Sequence, residues 1–269
     1  NAYNFAFTLS KPEVKGFSGS VSYSFGDSFS LNDGTSSQNN SQWRNYQNVA
    51  GRNFERDAQR SSFSPGHRVF ANLRYRVEYA NFGATTISLA YNGQSGQPFS
   101  YTIDENGFGG MVNDGAFNDE NMFYVPEGRN DIILQDLNDF TADEQWVILN
   151  SYIQNDEYLR TRVGQYTETN SNRVPFTNIV DLKLAQDFFI ETANGKRNTL
   201  QVTLDIFNFT NMLGNLFDRN WGRRYFNGSF GNVTLVRFRG FEEGTNNPIY
   251  TVDNRILDGL APEDGRIID

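Results

Sequence analysis

The chain contains no cysteine, which excludes disulfides, thiolate catalysis and cysteine-ligated metals together. It has one histidine, His67, so no histidine cluster exists for zinc, and the single candidate for a Ser/His/Asp relay has no nucleophile motif beside it. There is no run of about 18 apolar residues, which excludes a membrane-spanning helix and leaves a β-barrel open. No basic, apolar leader precedes Tyr3, so the chain is expected to start after processing or inside something longer. A phosphate-cradling loop is missing too: Gly107, Gly109 and Gly110 lie among acidic and Asn residues with no following Lys. The net charge of -9 argues against nucleic acid as a partner.

Aromatic residues are abundant: 24 Phe and 13 Tyr raise the aromatic share to 15%, while the mean hydropathy of -0.59 is hydrophilic. Strong aromatics spread among small polar residues suit strands with one face in lipid and the other in water. They also suit a secreted β-sandwich with long loops, and composition leaves both classes open.

Alternation is clearest from Asn178 to Asn211. Val180, Leu182, Leu184 and Phe188 share a face, with Gln186 the exception, against Asp181, Lys183, Ala185 and Asp187. Asn194-Gly195 is expected to supply two positive φ values for a tight turn. Leu200, Val202, Leu204 and Ile206 repeat the pattern on the return. Each strand is about as long as a tilted membrane-spanning strand, roughly 9–11 residues.

Two earlier hairpins repeat the unit. Tyr3, Phe5, Phe7 and Leu9 are followed, after Lys11 to Gly16, by Phe17, Val21, Tyr23 and Phe25, whose opposite face is serine. Val69, Ala71, Leu73, Tyr75, Val77 and Tyr79 return through Asn81 to Gly83 into Thr85, Ile87, Leu89 and Tyr91, resuming from Phe99 to Ile103 after Pro98. A seventh strand is expected from Asn232 to Phe238. Between hairpins lie long polar connections, Gly26 to Gly66, Asp104 to Thr177 and onward from Met212. The second carries one short helix, marked by the Thr141/Glu144 capping box and by Trp146, Leu149, Tyr152 and Ile153 at helical spacing. Short and long connections alternate strictly. This predicts an all-β fold: part of a large antiparallel transmembrane β-barrel with short periplasmic turns and long extracellular loops. Tyr3, Phe25, Tyr79, Phe82 and Tyr91 near strand ends fit the aromatic girdles.

Several residues are candidates for binding. Arg68, Arg74 and Arg76 share one strand face, which is costly in a dry core and ordinary in a watered lumen. They could guide anionic solutes, but pairing with Glu78, Asp181, Asp187 or Asp205 is the stronger expectation. Trp43, Trp146 and Trp221, in three different connections, could form a ligand platform at the barrel mouth or pack the loops together. The two readings stand level. Asp104, Asn106, Asp114 and Asp119 put oxygen donors on a glycine-rich loop, as calcium prefers, but their spacing departs from Asp-x-Asn-x-Asp-Gly and a solvated acidic loop is favoured. No other cofactor is expected. With one His, no Cys and no convergent acid pair, an enzyme is not expected.

The run Leu204-Asp205-Ile206-Phe207-Asn208-Phe209-Thr210-Asn211 resembles a late strand motif of TonB-dependent outer-membrane transporters. Gly164 to Asn170, Arg173 to Asn178, Gly66 to Val69, Tyr91 to Pro98 and Asn220-Trp221-Gly222 are similar to the Oar-like branch of that superfamily, typical of Bacteroidetes and related Gram-negative bacteria. Together they span most of the chain. The resemblance implies a multi-pass barrel of the outer membrane, of about 22 strands. A TonB-contacting plug would drive uptake, and the partners would be lipid and lipopolysaccharide, the TonB system and a surface lipoprotein or other outer-membrane protein. Plug, TonB box and terminal aromatic strand are not in this sequence. Residues 1–269 are thus expected to be one C-terminal barrel segment of about seven strands. A non-transporting structural or adhesive barrel and a carbohydrate-binding β-sandwich are the rivals.

Overall fold

The computed structural model describes residues 1–34, 36–44, 47, 49, 57–79, 81–104, 111, 121–137, 139–213, 224–226, 232–259 and 266–268. The side chains of Trp43, Arg44, 224–226 and 266–268 lie outside this description. β1 (Ala2–Val14) and β2 (Phe17–Ser30) form the first hairpin. Its turn has Lys15 at φ 55° and Gly16 at φ 81°. A Cβ on Gly16 would stand 2.0 Å from the Arg76 carbonyl oxygen, so only glycine fits. α1 (Asn39–Arg44) and β3 (Gln59–Arg60) lie in the first long connection. β4 (Gly66–Tyr79) and β5 (Gly83–Gln94) make the second hairpin. β6 (Pro98–Asp104), β7 (Asn121–Met122), β8 (Ile133–Leu134), α2 (Ala142–Asn155) and β9 (Asn172–Arg173) follow. β10 (Thr177–Glu191) and β11 (Arg197–Ile206) are the third hairpin. Then come α3 (Phe209–Met212), β12 (Arg224–Phe226), β13 (Asn232–Phe241), β14 (Pro248–Val252), α4 (Asn254–Leu257) and β15 (Arg266–Ile268).

The three hairpins lie side by side as one open antiparallel sheet, in the order β1-β2-β4-β5-β10-β11, with β1 and β11 at its edges. All three short turns fall at one end and all the long connections at the other. A row of paired residues runs through Phe17, Tyr75, Ile87, Leu184 and Leu204. Past that row β4 continues four residues (75 to 79) and β10 seven (184 to 191), so each hairpin reaches further than the one before. Staggered registers of this kind accompany the tilt of strands in a barrel wall.

The two faces of this open sheet, termed the wall for its extent alone, differ in kind. One carries Phe5, Phe7, Leu9, Val21, Leu73, Tyr75, Ile87, Leu200, Val202 and Leu204, all exposed, with Phe5 at 69% and Leu204 at 54%. From Val69 to Tyr79 that face is about 33 Å long at the usual strand rise. Six strands at the usual spacing give it an area on the order of 800 Å², more than the 300–600 Å² of the largest apolar patch on a typical monomer. The opposite face carries the serines of β2, Thr86 and Ser88 of β5, and the charged residues of β4, β10 and β11.

A second sheet, in the order β7-β6-β13-β14-β8, is built from the long connections. In it β13 runs parallel to β6, and β14 parallel to β8. Helix α2 packs Leu149 and Ile153, both fully buried, into a core with Phe99, Tyr101, Val233, Leu235 and Val252. Gln145 ties the layers: its Nε2 donates to the Gln135 carbonyl at 2.8 Å and its Oε1 accepts from the Val252 amide at 3.0 Å. This unit is termed the crown.

The crown corrects four sequence expectations. The strand at Asn232 to Phe238 is not a seventh wall strand, because its backbone pairs with β6 and β14 and its side chains fill the crown core. The stretch Phe99 to Ile103 leaves the wall as well, buried on both faces in the second sheet. Among the described residues the wall therefore has six strands. The connections hold a folded unit with its own core, beyond a single helix in a loop. Finally, at the β10–β11 turn only Gly195 takes a positive φ, 73°. The Thr192 amide bonds to the Lys196 carbonyl and the Gly195 amide to the Thr192 carbonyl, a longer turn in which Asn194 needs no left-handed conformation.

Candidate functional site

The polar face of the wall is a charged ladder. Arg76 Nη1 donates to Asp187 Oδ2 at 2.6 Å and Nη2 to Glu78 Oε1 at 3.1 Å, while Gln201 Nε2 donates to Asp187 Oδ1 at 2.7 Å. Lys183 Nζ stands 3.2 Å from Asp205, its cross-strand partner, and Arg74 pairs with Glu13 at 3.5 Å. Arg68 donates through Nε to Asn92 Oδ1 at 3.2 Å. Of the three arginines, Arg76 takes two of the expected acids, Asp187 and Glu78, Arg74 takes an acid outside that set, Glu13, and Arg68 takes an amide. Asp181 is occupied by the Asn208 amide at 2.7 Å. A cavity of about 340 Å³ opens beside the ladder, with Arg74, Asp181, Lys183 and Asp205 among its lining. With two cations and two carboxylates it offers mixed charge and no single selectivity for anions.

At the long-connection end, polar side chains clamp the crown to the wall. Arg173 donates to the Ser64 carbonyl at 3.0 Å, to Ser64 Oγ at 2.6 Å and to the Gly96 carbonyl at 3.1 Å. Arg60 Nε pairs with Asp27 at 3.1 Å, and the side-chain Nδ2 of Asn170, a residue at φ 53°, donates to the Arg60 carbonyl at 2.8 Å. Asp33 accepts from Ser30 Oγ at 2.5 Å, from the Ser62 amide at 2.6 Å and from Ser62 Oγ at 2.7 Å. Burial alone would push the Asp33 carboxyl up. The hydroxyls of Ser30, Ser61 and Ser62 and the Ser62 amide outweigh it and hold it below the ordinary carboxylate value. Asp27, Ser30, Asp33, Arg60, Ser62 and Ser64 come from the first long connection and Asn170 and Arg173 from the second, so no single strand pattern brings them together.

Trp146 lies on α2, partly buried against the crown core. Trp43 lies on α1 with its side chain outside the described residues, and Trp221 lies outside them altogether. Of the calcium candidates, Asp104 is engaged by Arg237 at 2.8 Å, and Arg237 also binds buried Asp253 at 2.9 Å. Asn106, Asp114 and Asp119 lie outside the described residues. Among the described residues no group of three acidic or histidine side chains is placed to hold a metal. Nor is any described helix long and apolar enough to cross a membrane, which leaves the strands unaddressed. His67 is a hydrogen-bonding residue: its Nδ1 meets Tyr23 Oη at 2.7 Å and its ring stacks on Phe25.

No family model, curated protein or solved structure matches this chain. What the fold itself establishes is the class: a predominantly antiparallel, strand-rich protein with short helices.

Proposed function

We propose that the six-stranded sheet is a section of the wall of an outer-membrane β-barrel whose polar face lines a watered lumen and whose crown stands on the extracellular side. The observation that carries this reading is the exposed apolar face. Each Leu or Phe moved from water into hydrocarbon gains about 1.5–3 kcal/mol, so a face of this extent belongs in lipid. Tilted by about 40°, the 33 Å of outward-facing strand covers roughly the 25 Å apolar band of such barrels. The edges β1 and β11 require neighbouring strands, because lipid satisfies no free backbone amide. A β-sandwich would need the same apolar face turned inward and covered. The motifs around Asp205 to Asn211 and Arg173 to Asn178 favour the TonB-dependent transporters within the barrel class. In that reading the chain supplies wall, lumen and ligand-facing crown for inward transport, without covalent chemistry.

The test is recovery of the intact protein from native membranes. It should fractionate with the outer membrane, need detergent for extraction and have a mass well above 30.6 kDa, with plug-like peptides in its digest. A 30.6 kDa species in the soluble fraction would overturn the proposal.

A further inference from the structure

The crown has a cavity of its own, of about 330 Å³, within the usual range of ligand pockets. Its floor is apolar, with Ile103 and Phe123 buried. Three tyrosines wall it: Tyr124, Tyr166 and Tyr250. Tyr124 and Tyr166 meet edge to face, with ring centroids 5.3 Å apart and planes at 64°, making an aromatic corner. Tyr166 is 44% exposed and available to a ligand. At the rim is Asp131, exposed, with Oδ2 accepting from the Glu127 amide at 3.0 Å. The lining contains no Lys or Arg. The neighbouring basic residues in sequence are committed elsewhere, Arg129 to Asp143 and Arg162 to Glu168. Burial first, then the Asp131 carboxylate, pushes the Tyr124 hydroxyl up, so it stays protonated as a donor to that carboxylate.

We infer that this pocket binds an organic cation, an ammonium or guanidinium group held between the tyrosine faces and the Asp131 carboxylate. The two aromatic planes, inclined at 64°, leave π surface open to a cation in the corner between them. Arg129 stands nearby, its Nη1 donating to the Ile132 carbonyl at 3.1 Å, but its charge is paired with Asp143, so Asp131 supplies the counter-charge for a cation and disfavours anionic ligands. The same chemistry is offered by a free alkylammonium ion and by a Lys or Arg side chain of a peptide. Binding in the crown does not depend on whether the wall transports.

The experiment is calorimetric titration of the intact protein in detergent with tetramethylammonium, Gly-Lys-Gly, Gly-Glu-Gly and a neutral disaccharide. Tetramethylammonium and Gly-Lys-Gly should bind and compete with each other, and Gly-Glu-Gly should not bind. A tripeptide that binds tenfold tighter than tetramethylammonium identifies a peptide side chain as the source; equal affinity identifies a free cation. Asp131→Asn and Tyr166→Leu, both at exposed positions, should each weaken cation binding roughly tenfold. Val147→Ser on the exposed side of α2 should leave it unchanged. Absence of cation binding in the unmodified protein, binding of the disaccharide alone, or cation binding indifferent to Asp131→Asn would each overturn the inference.

Discussion

Arg76 on β4 reaches over β5 to place its guanidinium 2.6 Å from the Asp187 carboxylate on β10, and only 6% of the Asp187 side chain is exposed. The pair ties three strands of the sheet on its polar face. Removing one partner leaves a nearly buried charge uncompensated, which costs far more than losing an exposed pair. Arg76→Met should therefore destabilise by about 3 kcal/mol, and Arg76→Met with Asp187→Leu together by clearly less. Denaturant unfolding in detergent checks both. Equal loss in the single and double variants would show that the pair acts by volume and not by charge.

The two wall faces should respond oppositely to charge. Leu204, 54% exposed on the apolar face, is flanked in sequence by Thr203 and Asp205 of the polar face. In lipid, Leu204→Arg should cost about 2–4 kcal/mol, while Thr203→Arg should be nearly neutral. Unfolding free energies measured in lipid vesicles separate the two. An exposed leucine facing water would tolerate the same change.

Gln186 was the polar interruption of that apolar face, and its neighbours account for it. Tyr79 Oη and Thr85 Oγ1 both donate to its Oε1 at 2.8 Å, and its Nε2 donates to the Asp187 carbonyl at 2.9 Å. Tyr79→Phe should cost about 1 kcal/mol, read by thermal unfolding, and Gln186→Leu with Tyr79→Phe should recover part of it.

Acid should loosen the contacts of Asp33. Asp33 has a folded pKa below its ordinary value of 3.8. Its contribution is therefore fully present above that ordinary value and is lost as pH falls through the lower, folded one. Amide exchange at Ser62, whose N–H is held by Asp33, should stay slow at pH 7 and 5 and become fast on further acidification. Asp33→Asn should abolish this pH dependence, and exchange that ignores the substitution would contradict the assignment.

The Thr141 hydroxyl accepts from the Glu144 amide at 3.3 Å, and the Thr141 amide donates to Glu144 Oε2 at 2.8 Å. Thr141→Ala should lower crown stability by about 1 kcal/mol, visible as faster exchange in α2 with exchange in β10 unchanged.

The wall was legible in the sequence because strand alternation is local. Val180 through Phe188 and Leu200 through Ile206 declare their face without reference to anything distant. The α2 capping box was legible for the same reason. The crown was not, because β6 and β8 lie more than a hundred residues in sequence from their respective partners β13 and β14, and the β6–β13 and β8–β14 contacts are parallel, which no short-range pattern specifies. Phe99 to Ile103 alternates apolar and polar residues without charge, as β5 does, so its burial on both faces carries no local signal beyond the break at Pro98. Pairing partners of the arginines were partly foreseeable from parity, as with Asp187. Glu13, beyond the expected end of its strand, was not. The tyrosine pocket draws Tyr124, Tyr166 and Tyr250 from three separate segments, and only folding brings them together.

Residues 1–269 contain no cysteine, so once any cysteine elsewhere in the intact protein is replaced, single spin labels placed one at a time at Lys183, Leu184, Leu204 and Asp205 in lipid vesicles test the central claim. The account predicts that labels at Leu184 and Leu204 collide with oxygen dissolved in lipid and are shielded from a water-soluble nickel reagent, while labels at Lys183 and Asp205 do the reverse. Labels at all four positions equally open to the water-soluble reagent would contradict it.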